Sequence, residues 1–255
     1  MLNKNNYKIQ RRPEKEMIFG LRPVIEAIKA GKNIEKIFVR RDTSNQLVRE
    51  LYDAVGESGI PLQKTPLEKL NHFTQKNHQG VVALLSPVEY QRIEDIVPLL
   101  YERGKIPFVV VLNGVTDVRN FGAIARTCEC AGVDAIVVAA SGNAPINADA
   151  VKTSVGALLK IPVCRTNNLK NAVRFLAESG LKLVAASEKA ENEYTQTTYT
   201  EPVALILGSE EEGIQPEILN MCAAQVAIPV FGVIQSLNVS VAAGILIYEV
   251  IRQRN

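Results

Sequence analysis

Three short stretches hold side chains whose types and spacing suit chemistry. "TDVRNFGAIART" carries Asp117, Arg119, Asn120, Gly122 and Arg126. "GSEEEG" sets Glu210, Glu211 and Glu212 between Gly208 and Gly213. "FGVIQSLNVS" places Gln235, Ser236 and Asn238 in an otherwise apolar run. Gly122 lets the backbone approach something closely, and a carboxylate between glycines can accept a bond from an arginine or a substrate hydroxyl. The three stretches contain no histidine, cysteine pair or paired aspartates, and the two histidines, His72 and His78, both fall in the first third of the chain. Cys128, Cys130, Cys164 and Cys222 lack zinc-type spacing. Metal chemistry and a histidine general base are therefore poor fits, whereas binding a polar ligand with catalysis by positioning fits well.

Each stretch also has a local explanation. Asn120 suits a helix N-cap, Arg126 a solvated helix face, the glutamates a helix N-terminus, and Ser236 or Asn238 a second cap. A cap needs only one side chain, however, and the third stretch supplies three. The residues alone leave both readings open.

The elements that must position these side chains begin at Pro107. Apolar runs "FVVVL", "AIVVAA", "IPVCR", "LKLVAAS", "VALILG" and "QVAIPV" alternate with helical patterns near 122–131, 149–159, 168–179, 215–222 and 238–253. Continuous apolar strands with helical crossovers predict an α/β fold with a mostly parallel sheet covered on both faces. Ligands of such sheets bind on the loops after the strands. All three polar stretches are such loops, and none has the G-x-G-x-x-G spacing of a dinucleotide site.

Upstream, residues 17–88 read as a smaller α/β unit, and 89–106 as a short helical connection broken by Pro98 and Gly104. Residues 1–16 form a polar arm with Lys4, Lys8, Arg11, Arg12 and Lys15 against Glu14 and Glu16, suited to a solvated tail or to a phosphate backbone. The 255 residues are 47% hydrophobic and 22% charged, an ordinary globular balance. Without a signal-like start or a long uncharged apolar run, the reading is a cytoplasmic protein with no membrane partner.

Taken together, the three stretches resemble the three motifs of the SpoU (TrmH) family of RNA ribose 2′-O-methyltransferases. The first is similar to D-x-R-N-x-G-A-I-x-R-T, the second to G-x-E-x-x-G, and the third to I-P-x-x-G-x-x-x-S-L-N-V-S-V-A, from Ile228 through Ala242. "KTSVGAL", Lys152 to Leu158, resembles the segment that follows the first motif. The resemblance covers 107–255, and "FGLRPVIEAI" and "HQGVVAL" extend it to the L30e-like RNA-binding domain of RlmB-type members.

The resemblance implies a methyltransferase domain with a deep trefoil knot and bound S-adenosylmethionine. It also implies a homodimer through the knot region and the last helix. Gly208, Ile228 and Leu237 would contact the cofactor, while Ser236 and Asn238 would bridge the knot loop to the first motif. Arg126 would hold a substrate phosphate and stabilise alkoxide charge, since arginine stays protonated in proteins; Asn120 and Glu210 would orient it. The implied substrate is a guanosine of 23S, large-subunit ribosomal RNA, free or in a pre-ribosomal subunit. A transfer-RNA ribose, or a non-catalytic RNA-binding or assembly role on the same fold, are the alternatives.

Overall fold

The computed structural model describes residues 17–209 and 211–255, the side chain of Glu57 aside. The basic arm at 1–16 and the proposed orienting carboxylate Glu210 lie outside the described residues. The chain divides into two compact units, one ending at Ser86 and the other spanning Pro87–Asn255.

The first unit is a four-stranded sheet in the order β1 (Met17–Phe19), β4 (Val81–Leu85), β2 (Ile34–Arg40), β3 (Leu62–Thr65). Strand β4 runs antiparallel to β1 and β2, while β2 and β3 are parallel. Helix α1 (Leu21–Lys29) repeats Leu21, Val24, Ile25 and Ile28 at helical spacing and buries all four. Helix α2 (Gln46–Ser58) starts at an Asn45 cap, whose side chain accepts from Val48 N–H, and stops at left-handed Gly59. These helices pack with Ile37, Val39, Val81 and Ala83. The alternate strand residues Phe38 and Val82 pack with α3 (Leu67–Phe73), where the Phe38 and Phe73 rings lie 4.9 Å apart.

The second unit holds an eight-stranded sheet in the order β10-β12-β9-β11-β6-β7-β8-β5. In chain order the strands are β5 (Tyr90–Gln91), β6 (Phe108–Asn113), β7 (Ala135–Ala139), β8 (Val163–Thr166), β9 (Lys182–Ala186), β10 (Asn192–Glu193), β11 (Val203–Gly208) and β12 (Ala224–Ala227). Every neighbouring pair is parallel. The helices are α4 (Ile93–Glu102), α5 (Val118–Cys130), α6 (Ala148–Thr153), α7 (Leu169–Glu178), α8 (Pro216–Leu219) and α9 (Val239–Arg254).

The unbroken apolar strands are explained by cover on both faces. Val110, Leu112, Leu205 and Leu207 pack with residues of α5 and α9, while Val109, Val111, Ala204 and Ile206 pack with α4, α7 and α8. Residues of β6 alternate between two cores, so all six are buried. The segment 89–106 is part of this unit: β5 pairs with β8, and α4 buries Ile93, Val97 and Leu100.

The chain's end is fastened by side-chain bonds. Arg254 donates to the carbonyls of Tyr199, Ile106, Pro107 and Glu201 at 2.7–3.3 Å. Buried Glu249 accepts two bonds from Arg252 and one from Gln253, and the Arg252 bonds hold its carboxyl below the usual range.

Candidate active site

The loop after β6 leads into α5, and here one expectation is corrected. Asn120 does not cap this helix. Asp117 does: its carboxylate accepts from Arg119 N–H at 2.6 Å and Asn120 N–H at 3.2 Å. The helix thus starts at Val118, ahead of the apolar stripe that marks it in the sequence. An ion pair with Arg119 and these two N–H bonds hold the Asp117 carboxyl below its usual range.

With the cap supplied elsewhere, the Asn120 side chain is available for another task. Its Oδ1 accepts from Asn238 Nδ2 at 3.1 Å, across 118 residues of chain. Asn238 is itself the N-cap of α9, since its Oδ1 accepts from Ser240 N–H and Ser240 Oγ–H. One amide pair therefore ties the N-termini of two helices that follow different strands. Gly122 lies one turn into α5, where a Cβ would stand 2.7 Å from Thr153 Cβ and 3.1 Å from Ser154 N. The close approach this glycine permits is to the end of α6, where "KTSVGAL" begins.

Gly208 has an equally local reason. A Cβ there would come within 2.3 Å of the Gly213 carbonyl carbon, because Ser209 and Gly213 exchange two main-chain bonds and fold the segment back on itself. Gly213 turns in the left-handed region at φ 68°. Glu211 and Glu212 thus sit on a short closed loop at the end of β11.

Gly208, Ile228, Ser236 and Leu237 all line one cavity of about 320 Å³ beyond the ends of β9, β11 and β12. Val239 and Leu246 of α9 add apolar wall, while Ser209 and Gln235 add polar groups. The volume falls at the lower end of the roughly 300–1,000 Å³ usual for small-molecule sites. The loop after β9, Ser187 to Lys189, also lines the cavity. It went unread in the sequence, although its place after the buried strand "LKLVAAS" was the signal available.

Asn120, Asn238 and Arg126 are not among the lining residues. Arg126 is exposed on α5, six residues past Asn120. Six helical positions are about 9 Å of rise and 240° of turn, so the two point to different sides, and the expected bond between them does not form. Among the described residues Arg126 has no ion-pair partner.

A second cavity, about 700 Å³, lies beyond β6, β7 and β8. Its amides are largely committed to the fold. Asn143 Oδ1 accepts from Gly114 and Val115 N–H, Asn113 Oδ1 from Gln215 N–H, and Asn168 Oδ1 from Asn171 N–H. The smaller, mixed-polarity cavity is the better ligand site.

Comparison with known proteins gives the chain a family. Residues 107–248 match the SpoU rRNA Methylase family. The chain belongs to that family. It is thereby placed among RNA methyltransferases. Residues 17–91 match the description "RNA 2′-O ribose methyltransferase substrate binding". YacO of Bacillus subtilis, assigned to the TrmH family of tRNA/rRNA methyltransferases, is 31% identical over 240 residues, covering 94% of this chain and 96% of that protein. The AdoMet-bound rRNA methyltransferase from Sinorhizobium meliloti superposes with a TM-score of 0.59 at 26% identity, covering 92% of this chain and 86% of that one. The A. aeolicus TrmH/SpoU tRNA modifying enzyme does so at 0.53 and 31% identity, over 63% of this chain and 83% of that one.

Proposed function

We propose that this SpoU-family chain methylates a ribose 2′-hydroxyl in RNA, with S-adenosylmethionine as donor and a guanosine of large-subunit ribosomal RNA as acceptor. The observation that carries the reading is the convergence of the loops after β9, β11 and β12 on one cavity, with Asn238 of that last loop tied to Asn120. The cavity suits the cofactor chemically. Ile228, Leu237, Val239 and Leu246 offer an apolar slot for a base, while Ser209, Gln235 and Ser236 offer hydrogen-bonding groups for the polar remainder.

When bound, S-adenosylmethionine supplies a methyl group already activated on a sulfonium. The chain's own task is then to place a hydroxyl in line with that methyl. The ribose hydroxyl would take that methyl and release its own proton to solvent. Arg126, as a permanent cation, holds the substrate phosphate and stabilises the negative charge that develops on the oxygen. Asn120, Ser236 and Asn238 hold the loop at the start of α9 against the start of α5. Glu210 is assigned to orienting the arginine.

Residues 17–88 serve as the RNA-binding unit, 89–106 as a built-in part of the catalytic domain, and the basic arm 1–16 as an added phosphate contact. Threading of 228–238 into a deep trefoil knot is part of the same reading; its support is the motif resemblance and the path from β12 to Asn120. A homodimer through this segment and α9 is supported by exposed apolar surface. Phe231 and Val233 are each 98% exposed, and Val241 and Tyr248, seven residues apart on α9, are about half exposed. A cytoplasmic location completes the reading.

Relatives named for both ribosomal and transfer RNA keep a transfer-RNA ribose as a second reading. Nucleoside analysis decides between them: each RNA is incubated with the protein and the cofactor, then digested completely. 2′-O-methylguanosine from ribosomal RNA alone supports the proposal. A methylated ribose from transfer RNA alone supports the second, and a methylated base from either contradicts both.

A further inference from the structure

The second cavity of the Pro87–Asn255 unit holds a donor that the fold leaves over. Asn113 closes β6 and is only 7% exposed, yet it lines this cavity of about 700 Å³. Its Oδ1 accepts from Gln215 N–H at 2.8 Å. A main-chain N–H can only donate, so the amide cannot be turned round, and Nδ2 is the free end. That nitrogen has no partner among the described residues and is not sealed from solvent. Asn143, by contrast, uses both ends of its amide: Oδ1 accepts from Gly114 and Val115 N–H, and Nδ2 donates to the Ala139 carbonyl.

An acceptor lines the same space. Of the cavity's charged residues, Lys170 and Glu217 pair with each other at 2.9 Å, whereas Glu212 forms no salt bridge among the described residues. Asn113 meets both ends of the loop that carries Glu212. It stands opposite Gly208 in the β6–β11 ladder, and it holds the Gln215 N–H just past Gly213. The Glu212 N–H donates to Ser209 Oγ at 3.0 Å, which fixes its main chain within that loop. Ser209, Glu212 and Gly213 line the cavity of about 320 Å³ as well as this one, so the loop is a wall common to both.

We propose that the second cavity takes the base of the target nucleotide, a guanine. Asn113 Nδ2 donates to its O6, and the Glu212 carboxylate accepts from its N1–H and N2–H. Among the four RNA bases only guanine sets two adjacent donors beside a carbonyl on its pairing edge, and specific RNA recognition reads unstacked bases by such contacts. The ribose of that nucleotide then lies at the common wall, with its hydroxyl on the side of the cofactor cavity. The assignment rests on ribose methylation being the reaction, and it supplies a base preference that the two family matches leave open.

The test uses full-length protein saturated with S-adenosylmethionine, and large-subunit ribosomal RNA ligated to carry guanosine or inosine at the position where methylation is mapped. Inosine keeps O6 and N1–H but lacks the N2 amine. Wild-type kcat/KM should fall at least about tenfold with inosine, because one bond to Glu212 goes unmade. Glu212→Gln should lose at least about tenfold on guanosine and use the two RNAs alike, within about threefold. Calorimetry should show its cofactor affinity within about twofold of wild type. Equal use of both RNAs by the wild type, or an undiminished guanosine preference in Glu212→Gln, overturns the proposal. A loss of cofactor affinity that matches the loss of activity overturns it too, by assigning Glu212 to the other cavity. Mapping to a nucleotide other than guanosine contradicts it as well.

A wild-type measurement addresses Asn113 without a substitution. Guanosine monophosphate added to the cofactor-saturated protein should shift the Asn113 Nδ2–H resonances, and adenosine monophosphate should shift them far less. No shift, or equal shifts, contradicts a guanine pocket. If RNA ribose is methylated while these tests fail, only this inference falls. If no RNA is methylated, the proposed function fails with it.

Discussion

The central strands and the loop that leaves β12 treat apolar side chains in opposite ways. In β6 and β11 every residue from Phe108 to Asn113 and from Val203 to Leu207 is buried. In the loop, all eight residues from Phe231 to Asn238 are exposed, although Phe231, Val233, Ile234 and Leu237 are as apolar as the strand residues. Burial of a strand side chain stabilises the fold by roughly 1.5–3 kcal/mol, an upper estimate because unfolded chains are already partly compact. The loop gains nothing comparable within one chain. Its composition makes sense if something outside the chain covers it: the cofactor at Leu237, and a second copy at Phe231 and Val233.

Substitutions can break this contrast or sharpen it. The largest effect on stability belongs to the sheet: Leu205→Ala should cost about 2–5 kcal/mol in chemical denaturation. A cost under about 1 kcal/mol would mean that the double cover of β11 is misjudged. Next is Gly208→Ala, which forces a methyl group against the Gly213 backbone. Destabilisation should be about 1–3 kcal/mol, and calorimetry should show cofactor affinity reduced at least about tenfold, or about 1.4 kcal/mol. Unimpaired binding would separate the Ser209–Gly213 closure from the cavity.

A smaller effect is expected at Asp117. Asp117→Ala removes the cap of α5 and should lower Tm by about 2–4 °C at neutral pH. The folded-state pKa of Asp117 is depressed, by the Arg119 ion pair first and then by the Asn120 and Arg119 N–H bonds. Its contribution is therefore complete above the unfolded aspartate value, near 3.9, and is lost as pH falls through the lower folded value. The gap between wild type and variant should close only in acid; a gap unchanged there would remove the carboxylate from the account.

Least affected in stability is the loop itself. Phe231→Ser with Val233→Ser should leave unfolding free energy at low protein concentration within about 0.5 kcal/mol, while sedimentation shows weaker self-association. Unaltered association would reassign the exposed apolar surface.

The same contrast explains what could be read from the chain alone. Strands β6, β7, β9 and β11 announce themselves because burial on both faces demands unbroken apolar runs. Strands β1, β5 and β10 have two or three residues each, too few to show a period, and are held by their neighbours' ladders. Helix α5 begins at Val118, four residues before the start near 122 that its apolar pattern marks, since Asp117 rather than Asn120 caps it. Gly208, Ile228, Ser236 and Leu237 were legible as a set through the motif resemblance, and their strands, β11 and β12, lie on either side of β9 in one sheet. The separation of Arg126 from Asn120 was not, because motif spacing does not say which side of a helix meets which neighbour.

The central claim is methyl transfer to RNA, and its most direct test is tritium transfer from labelled S-adenosylmethionine to unmodified large-subunit ribosomal RNA. Transfer RNA is assayed in parallel, and the Arg126→Ala protein serves as control. The account predicts alkali-stable label in the ribosomal RNA from the wild-type protein, and at least about a hundredfold less from Arg126→Ala, with cofactor affinity nearly unchanged. Cofactor binding with no label in either RNA, or full activity in the Arg126→Ala protein, would contradict it.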